Sequence, residues 1–165
     1  MQRDGDARAA YWKALPRKDR KAFWSYIRPA YVERTIASEP SVAPAAMGGC
    51  WTYSINDKAY SLLGTYLFTY KLVMDWCGSG GYIRDLCDSC FGYKRPVDVA
   101  LGWQFVRHSD FEQRGGLGKL SWQIYTQGEF RFCVVGDIGC LQHLYPWLQI
   151  KVFPNSQVQW WKSDV

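Results

Sequence analysis

The sequence lacks a long uninterrupted apolar segment. Its longest apolar stretch runs from Ala59 to Met74 and is interrupted by Lys71, whereas a membrane-spanning helix needs about 20 apolar residues. The N-terminal residues are polar and show no apolar core of a signal peptide. We therefore expect an intracellular protein without a membrane partner, in which disulfide bonds are not the default state of the six cysteines.

Histidine is also scarce, and this limits the catalytic arrangements that the chain can build. Cys50 lies in GGCWTYS, which is similar to the nucleophile region of viral papain-like proteases. A thiol nucleophile needs an imidazole base, but the sequence places neither His108 nor His143 beside Cys50. RGGLGK at 114–119 lacks the Lys-Ser/Thr pair of a P-loop and predicts a turn. The sequence thus contains no complete catalytic constellation.

Apolar residues, by contrast, are plentiful. They make up 48% of the 165 residues, which is enough for one domain with a single core. The nine Trp and eleven Tyr exceed what that core needs, and both residue types favour half-exposed positions. We expect some of these rings to contact a partner, such as a nucleic-acid base or another protein subunit.

The net charge of +5 is concentrated in the first 34 residues. That segment holds nine Lys/Arg and four Asp/Glu, and the other 131 residues hold eleven of each. A basic N-terminal arm is typical of proteins that contact phosphate groups; the alternative is a solvated amphipathic helix. The candidate phosphate-binding cations of the arm are Arg17, Lys18, Arg20 and Lys21.

Proline, glycine and other small residues divide the chain. Residues 8–34 have apolar side chains at helical spacing and predict one or two helices, with breaks at Pro16 and Pro29. Residues 35–49 are rich in small residues, proline and glycine, and they predict a linker. This linker is the clearest boundary in the chain.

The predicted boundary separates a basic helical arm at 1–49 from a domain at 50–165. In that domain the apolar pattern changes from helical to alternating. The expected elements are a helix at 59–76, strands at 97–106, 119–125 and 130–135, a hairpin turn at 126–129 and a short helix from Asp137 to Leu148. The predicted fold class is therefore α/β (α+β), with helices packed on one face of a mostly antiparallel sheet.

Three stretches of the domain resemble the LAGLIDADG homing-endonuclease family in its single-motif form. They are KLVMDWCGSGG at 71–81, VALGWQFVRHSDFEQR at 99–114 and FRFCVVGDIGCLQHLYPWLQIK at 130–151. The resemblance covers roughly residues 57–158. It implies a motif helix followed by a saddle-shaped antiparallel sheet that lies in the DNA major groove.

The motif departs from the family at its metal-binding acid. The register that aligns Gly78 puts Cys77 at that position, and a thiol does not suit Mg²⁺. The register that makes Asp75 the acid puts Trp76 where a glycine belongs. The resemblance therefore implies a nuclease-dead relative that keeps the sheet. The alternative is an active homodimeric endonuclease that uses Asp75 and Mg²⁺.

The polar face of the predicted sheet is the candidate nucleic-acid interface. Gln and Arg can make bidentate contacts with base edges, and Lys and Arg can reach phosphates. The candidate residues are Gln104, Arg107, His108, Lys119, Ser121, Gln123, Tyr125 and Arg131. The alternative is a sheet face that only contacts solvent.

A separate set of residues has the spacing of a zinc site. Cys87-x2-Cys90 and Cys140-x2-His143 supply four ligands that suit tetrahedral zinc. The alternative is a set of ordinary half-buried thiols and a surface histidine.

Together these patterns predict a non-catalytic nucleic-acid-binding protein, more suited to binding RNA inside a larger assembly than to cutting DNA. By analogy with homing-endonuclease relatives, an organellar ribonucleoprotein such as a mitochondrial ribosome is one expected location. A structural subunit of a protein complex, without nucleic acid, is the third hypothesis.

Overall fold

Strands dominate the structure of this protein. A computed structural model describes residues 10, 13–40, 48–86, 90–133 and 140–163. Within these ranges a helix, α1 (Arg17–Ile27), precedes eleven strands. The strands are β1 (Pro29–Pro40), β2 (Gly49–Ser61), β3 (Tyr66–Ser79), β4 (Tyr82–Arg84), β5 (Gly92–Lys94), β6 (Val97–Val99), β7 (Trp103–Gly115), β8 (Trp122–Cys133), β9 (Cys140–Leu144), β10 (Trp147–Val152) and β11 (Val158–Lys162).

The strands form two antiparallel sheets. In the described part of the chain, sheet A has the order β1-β2-β3-β4, with β5 and β6 also paired to β3. Sheet B has the order β11-β10-β8-β7, with β9 also paired to β8. The longest ladders join strands that are neighbours along the chain: β1 with β2, β2 with β3 and β7 with β8. Antiparallel neighbours need only short connections, so much of each sheet is built from hairpins.

The two sheets pack through their inner faces and share one core. Along most of β3 and all of β8, every second side chain is buried, as expected for strands with one face against a core. Phe68 of β3 stacks on Phe130 of β8 with ring centroids 4.3 Å apart. At one end of the core, the Trp76 Nε1–H donates to the Phe153 carbonyl at 2.9 Å. The turn between β10 and β11 therefore closes against β3.

A half-buried ion pair lies at the β1 side of the core. Arg34 of β1 faces Asp57 of β2 in the ladder, and its Nε and Nη2 donate to the two carboxylate oxygens at 2.6 and 2.5 Å. The two side chains are only 17% and 9% exposed. The guanidinium also lies over the Trp160 ring, 5.5 Å from its centroid. Because Trp160 belongs to β11, the pair connects the edge of sheet A with sheet B.

Helix α1 confirms part of the predicted N-terminal helix, including the breaks at both prolines. Pro16 immediately precedes the helix, and Pro29 begins β1. Arg28 between them has an extended backbone, with φ −80° and ψ 127°, because a following proline disfavours the helical region. Residues 29–34, which the apolar spacing assigned to the helix, are instead part of β1.

The expected α/β (α+β) class is wrong, because the described chain forms two antiparallel sheets rather than helices on one sheet face. The predicted helix at 59–76 is the end of β2 and most of β3. Most positions in this run are apolar or aromatic, so the run satisfies both helical and strand periods. Its aromatic and β-branched residues favour the strand, and pairing on both sides of β3 adds to that preference.

The LAGLIDADG resemblance is wrong for the same reason. Asp75 and Cys77 lie on β3 and not at a crossing of two helices, so there is no motif helix to build the nuclease site. In the second matching stretch, at 99–114, residues 103–114 belong to β7. The second predicted helix is also absent: residues 140–144 form β9 and residue 147 begins β10. Asp137 lies outside the described residues.

The predicted hairpin turn at 126–129 does not form, because β8 continues through it. A Cβ at Gly128 would lie 2.8 Å from the ring of Phe130 and 3.1 Å from the ring of Tyr70. This glycine makes room for two aromatic rings, one from each sheet, and does not turn the chain. The predicted turn at 114–119 is confirmed between β7 and β8. Of the predicted linker, residues 35–40 belong to β1 and residues 41–47 lie outside the described ranges.

Candidate functional site

The outer face of sheet B, which is turned away from sheet A, carries a row of aromatic and amide side chains. Alternation along β8 and β10 puts every second residue on this face. The register aligns Tyr125 with Gln149 and Trp161, one residue from each of β8, β10 and β11. We call this set and its neighbours the platform; its members are Gln123, Tyr125, Gln127, Trp147, Gln149 and Trp161.

The aromatic rings of the platform are partly open to solvent. Tyr125 and Trp147 contact each other, with ring centroids 5.6 Å apart and planes tilted by 37°. Trp161 is 42% exposed, and the other two rings are half-buried. Packing holds such rings in place while part of each ring stays accessible. The platform can therefore stack against a flat or apolar ligand surface without first ordering its own side chains.

Hydrogen-bonding groups surround these rings. Burial, together with the carboxylates of Asp110 and Glu112, raises the pKa of Tyr125. Its phenol therefore stays protonated at neutral pH and remains a donor. The amides of Gln123, Gln127 and Gln149 can each donate and accept. The centre of the platform is thus uncharged but rich in polar contacts.

Charged side chains lie at the margin of the platform, and several of them are paired. Two arginine–glutamate pairs have N–O distances of 3.0 and 2.6 Å: Arg107–Glu129 and Arg114–Glu112. Lys151 faces Gln123 in the ladder, and Arg131 has a buried Nε without a hydrogen-bond partner among the described residues. The Lys151 ammonium lies 5.2 Å from the Phe153 ring centroid. Among the described residues, neither Lys151 nor Arg131 forms a salt bridge, so these are the cations of this face that carry no carboxylate partner.

The predicted cations of the arm lie on α1. Lys21 lines a groove between α1 and β9 together with Trp24, Arg28, Leu141 and Gln142. The next residue of β9, His143, pairs with Arg131 of β8. Gln142 itself pairs with the core residue Phe132, against which Phe23 of α1 packs, so the groove opens at the β9 edge of sheet B, on the opposite face of β9 from His143. Of the other arm cations, Arg17 and Lys18 are exposed and Arg20 is half-buried.

The structure brings most of the sequence-predicted interface residues to the outer face of sheet B. Those that share it are Gln104, Arg107, Gln123, Tyr125 and Arg131. Lys119 and Ser121 lie at one end of that sheet, in the turn between β7 and β8. His108 is the exception, because its side chain lies on the inner side.

A β-bulge explains the position of His108. The register of β7 against β8 shifts between Phe105 and Arg107, and the extra residue reverses the alternation of faces before His108; a second shift follows His108. The Nδ1 atom of His108 therefore lies 3.3 Å from the Tyr70 hydroxyl. That hydroxyl also forms a 2.7 Å hydrogen bond with Thr126. His108 belongs to a polar cluster between the sheets and not to the outer face.

His108 should make stability depend on pH. Burial, and then the nearby positive charge of Arg95, lower the pKa of His108 below its ordinary value. The unfolded state, with a histidine pKa of about 6.5, then binds more protons than the folded state as the pH falls through that window. We expect His108 to lower the free energy of unfolding by nothing above about pH 6.5. Below that pH the free energy of unfolding should fall, until the pH reaches the lower pKa that His108 has in the folded state.

Urea unfolding at pH 7.5, 6.5 and 5.5 measures this dependence. In His108→Asn the decline should be shallower than in the wild type, while His143→Gln, at an exposed position, should keep the wild-type slope. A pH slope that is identical in wild type and His108→Asn would show that His108 does not titrate differently on folding.

The predicted zinc ligands are distributed over different places. Cys140 forms a disulfide with Cys133, and Cys90 is also disulfide-bonded and lies beside Cys50 and Cys77. His143 is exposed, with its Nδ1 3.8 Å from a carboxylate oxygen of Glu129. Cys87 lies outside the described residues. Contrary to the expected default for an intracellular chain, disulfides are part of this structure.

Asp75, the candidate nuclease acid, accepts a hydrogen bond from the Thr52 hydroxyl at 2.6 Å on β3. Sequence reasoning also missed four of the six platform residues. Gln127 lay in the predicted turn at 126–129 and Trp147 in the helix expected to end at Leu148, whereas Gln149 and Trp161 had no strand assignment. The alternation of WLQIKV at 147–152 was the signal for β10.

No protein-family model, curated protein or solved structure matches this chain. Among the residues that the structure describes, no helix is both long enough and apolar enough to span a membrane.

Proposed function

We propose that this protein is a non-catalytic binding domain that holds a single-stranded nucleic acid on the platform. The observation that carries the proposal is the aligned row of Tyr125, Gln149 and Trp161, with Trp147 packed against Tyr125. Single-stranded nucleic acids bind where bases stack on aromatic side chains and the backbone meets cations. The platform supplies rings and amides on three adjacent strands, spaced by about 5 Å.

Phosphate contacts come from the margin of the platform. Arg131 and Lys151 lie on the same face as the rings. The groove between α1 and β9 adds Lys21 and Arg28. A nucleic-acid strand that leaves the platform past Arg131 would turn around the β9 edge to reach these two cations. The proposal therefore uses both the polar sheet face and the basic arm that the sequence indicates.

Loss of a stacking ring should weaken binding strongly. Each base stacked on an aromatic side chain contributes about 1–3 kcal/mol, so Trp161→Ala should lower the affinity for a labelled single-stranded oligonucleotide about 5- to 150-fold. Tyr82→Ala is a matched control, because Tyr82 is also 42% exposed but lies on sheet A. Fluorescence anisotropy with oligo-dT and oligo-U 20-mers, in 50 and 200 mM salt, measures the effect.

The salt series adds an independent test. Binding that involves phosphates must weaken as salt rises, since counterions are released, and Lys21→Ala should make that dependence shallower. The proposal fails if wild type shows no affinity at low salt, or if Trp161→Ala binds as well as Tyr82→Ala does.

A neutral polysaccharide is the second candidate ligand. Two observations favour it: the centre of the platform is uncharged, and the described cysteines are disulfide-bonded, which is typical of proteins in oxidising compartments. Aromatic rings also stack on the apolar faces of sugars, and glutamine amides pair with hydroxyls. Binding to a soluble neutral glucan that is lost in Trp161→Ala but insensitive to salt would favour this candidate over nucleic acid.

A further inference from the structure

Three buried sulfur atoms converge on the outer side of sheet A. Cys50 and Cys77 face each other across the β2–β3 ladder, and Cys90 follows the connection after β4 and lies against them. The three side chains are 4%, 0% and 8% exposed. Their Sγ atoms all lie within 4.8 Å of one another. The cluster is separate from the main core, and its one further apolar contact among the described residues is Leu86.

In this structure the cluster is oxidised. Cys50 and Cys77 form one disulfide, and Cys90 takes part in another. A disulfide needs two sulfurs, whereas here a third sulfur from a different part of the chain is held in the same place. A single crosslink does not require three sulfur atoms this close together.

Three thiolates at this spacing match the requirements of a thiophilic metal. Zinc binds thiolates at about 2.3 Å in a tetrahedron, which sets neighbouring sulfurs about 3.8 Å apart. The Sγ atoms of Cys50, Cys77 and Cys90 already lie within 4.8 Å. Opening the Cys50–Cys77 disulfide lets these two sulfurs move from bonding distance, about 2 Å, to that spacing by rotation about χ1. The Cys90 sulfur needs an adjustment on the order of 1 Å.

We propose that the reduced protein binds one zinc ion through Cys50, Cys77 and Cys90. A phosphine or dithiol reductant supplies two electrons to each disulfide, which becomes two thiols with uptake of two protons. Zinc then displaces one proton from each of the three thiols and forms three Zn–S bonds. Of the four sequence-predicted zinc ligands the site keeps only Cys90, and the cross-strand pair Cys50 and Cys77 supplies its other two sulfurs.

Metal titration of the reduced full chain tests the proposal. The protein is reduced with a phosphine without denaturant under argon and titrated with Co²⁺, whose thiolate charge-transfer absorption reports sulfur ligation, and then with Zn²⁺ in competition. We expect one equivalent bound in the wild type and no thiolate band in Cys90→Ser. That variant retains the Cys50–Cys77 pair, so its oxidised form provides a folded starting state.

The matched control is the double variant Cys133→Ser/Cys140→Ser, which removes the other described disulfide and leaves the cluster intact. It should bind one equivalent with the same band. A second readout is thermal unfolding of the reduced proteins, because a ligand that binds the folded state raises Tm. Zinc should raise Tm in wild type and in the double variant but not in Cys90→Ser.

Three results would overturn the site. Reduced wild type could bind no cobalt and gain no stability from zinc. Cys90→Ser could retain one equivalent with a full thiolate band. Finally, the Cys133→Ser/Cys140→Ser variant could lose the metal, which would assign binding to those two residues.

Discussion

Phe130→Ala is expected to lower the free energy of unfolding by about 3–5 kcal/mol, the range for removing a large buried aromatic side chain. Phe130 is fully buried on β8. Its ring centroid lies 4.3 Å from that of Phe68, 5.7 Å from Tyr70 and 5.3 Å from Phe105. Because these three rings come from both sheets, the cavity would open where the sheets meet and could not close without moving a sheet.

Equilibrium urea unfolding followed by tryptophan fluorescence measures this loss. Leu101→Ala is the control, since Leu101 is fully exposed and surface substitutions usually change stability by less than about 0.5 kcal/mol. A loss below about 1 kcal/mol in Phe130→Ala, on the scale of an ordinary surface change, would mean that the sheets do not pack through this ring.

The second large effect concerns the Arg34–Asp57 pair. Asp57→Ala is expected to cost about 3–5 kcal/mol, because breaking a buried pair leaves the other charge uncompensated. Arg34 is held by two hydrogen bonds to Asp57 and by the Trp160 ring. With the carboxylate removed, a guanidinium that is 17% exposed either stays poorly solvated or leaves its place between the sheets.

Two comparisons separate the charge effect from general disruption. Arg34→Met combined with Asp57→Leu removes both charges and should recover most of the stability, since apolar pairs often replace buried ion pairs without loss. Arg107→Ala breaks a pair whose arginine is 71% exposed and should cost less than about 1 kcal/mol. Equal unfolding free energies for Asp57→Ala and Arg107→Ala would contradict the reading of Arg34–Asp57 as a buried pair.

Local signals in the sequence predicted some elements well. Pro16 and Pro29 mark the limits of α1, because proline constrains both its own backbone and the residue before it. The alternation at 119–125 and 130–135 predicted two strands, and the structure joins them into the single strand β8. Gly128 between them looked like a turn residue, and only the rings of Phe130 and of Tyr70 from the other sheet explain why it is a glycine.

The largest errors came from segments whose pattern fits two structures. Residues 59–76 are apolar or aromatic at most positions, so their periodicity does not separate a helix from a strand that is paired on both sides. What decides is the hairpin ladder to β2, which pairs residues 69–76 of this run with residues 51–58 outside it. The LAGLIDADG resemblance depended on the same helix and fails with it.

Only part of the candidate site could be predicted, because the rest depends on how strands pair. Gln123, Tyr125 and Arg131 follow from the alternation of one strand, whereas their alignment with Gln149 and Trp161 depends on the register between strands. His108 was placed on the wrong face because the bulges of β7 are not visible as a composition signal. The sulfur cluster joins β2, β3 and the segment after β4, and sequence spacing alone does not bring these together.

The bulges of β7 also affect how copies of this protein meet. In the described structure β7 pairs only with β8, so its other edge presents backbone groups to which a strand from another molecule can add. Two bulges interrupt that edge, and arginine and acidic side chains follow one another along it, from Arg107 through Asp110 and Glu112 to Arg114. Irregular, charged edges are poor templates for strand addition. The irregularity that turns His108 inward therefore also protects the protein from edge-to-edge aggregation.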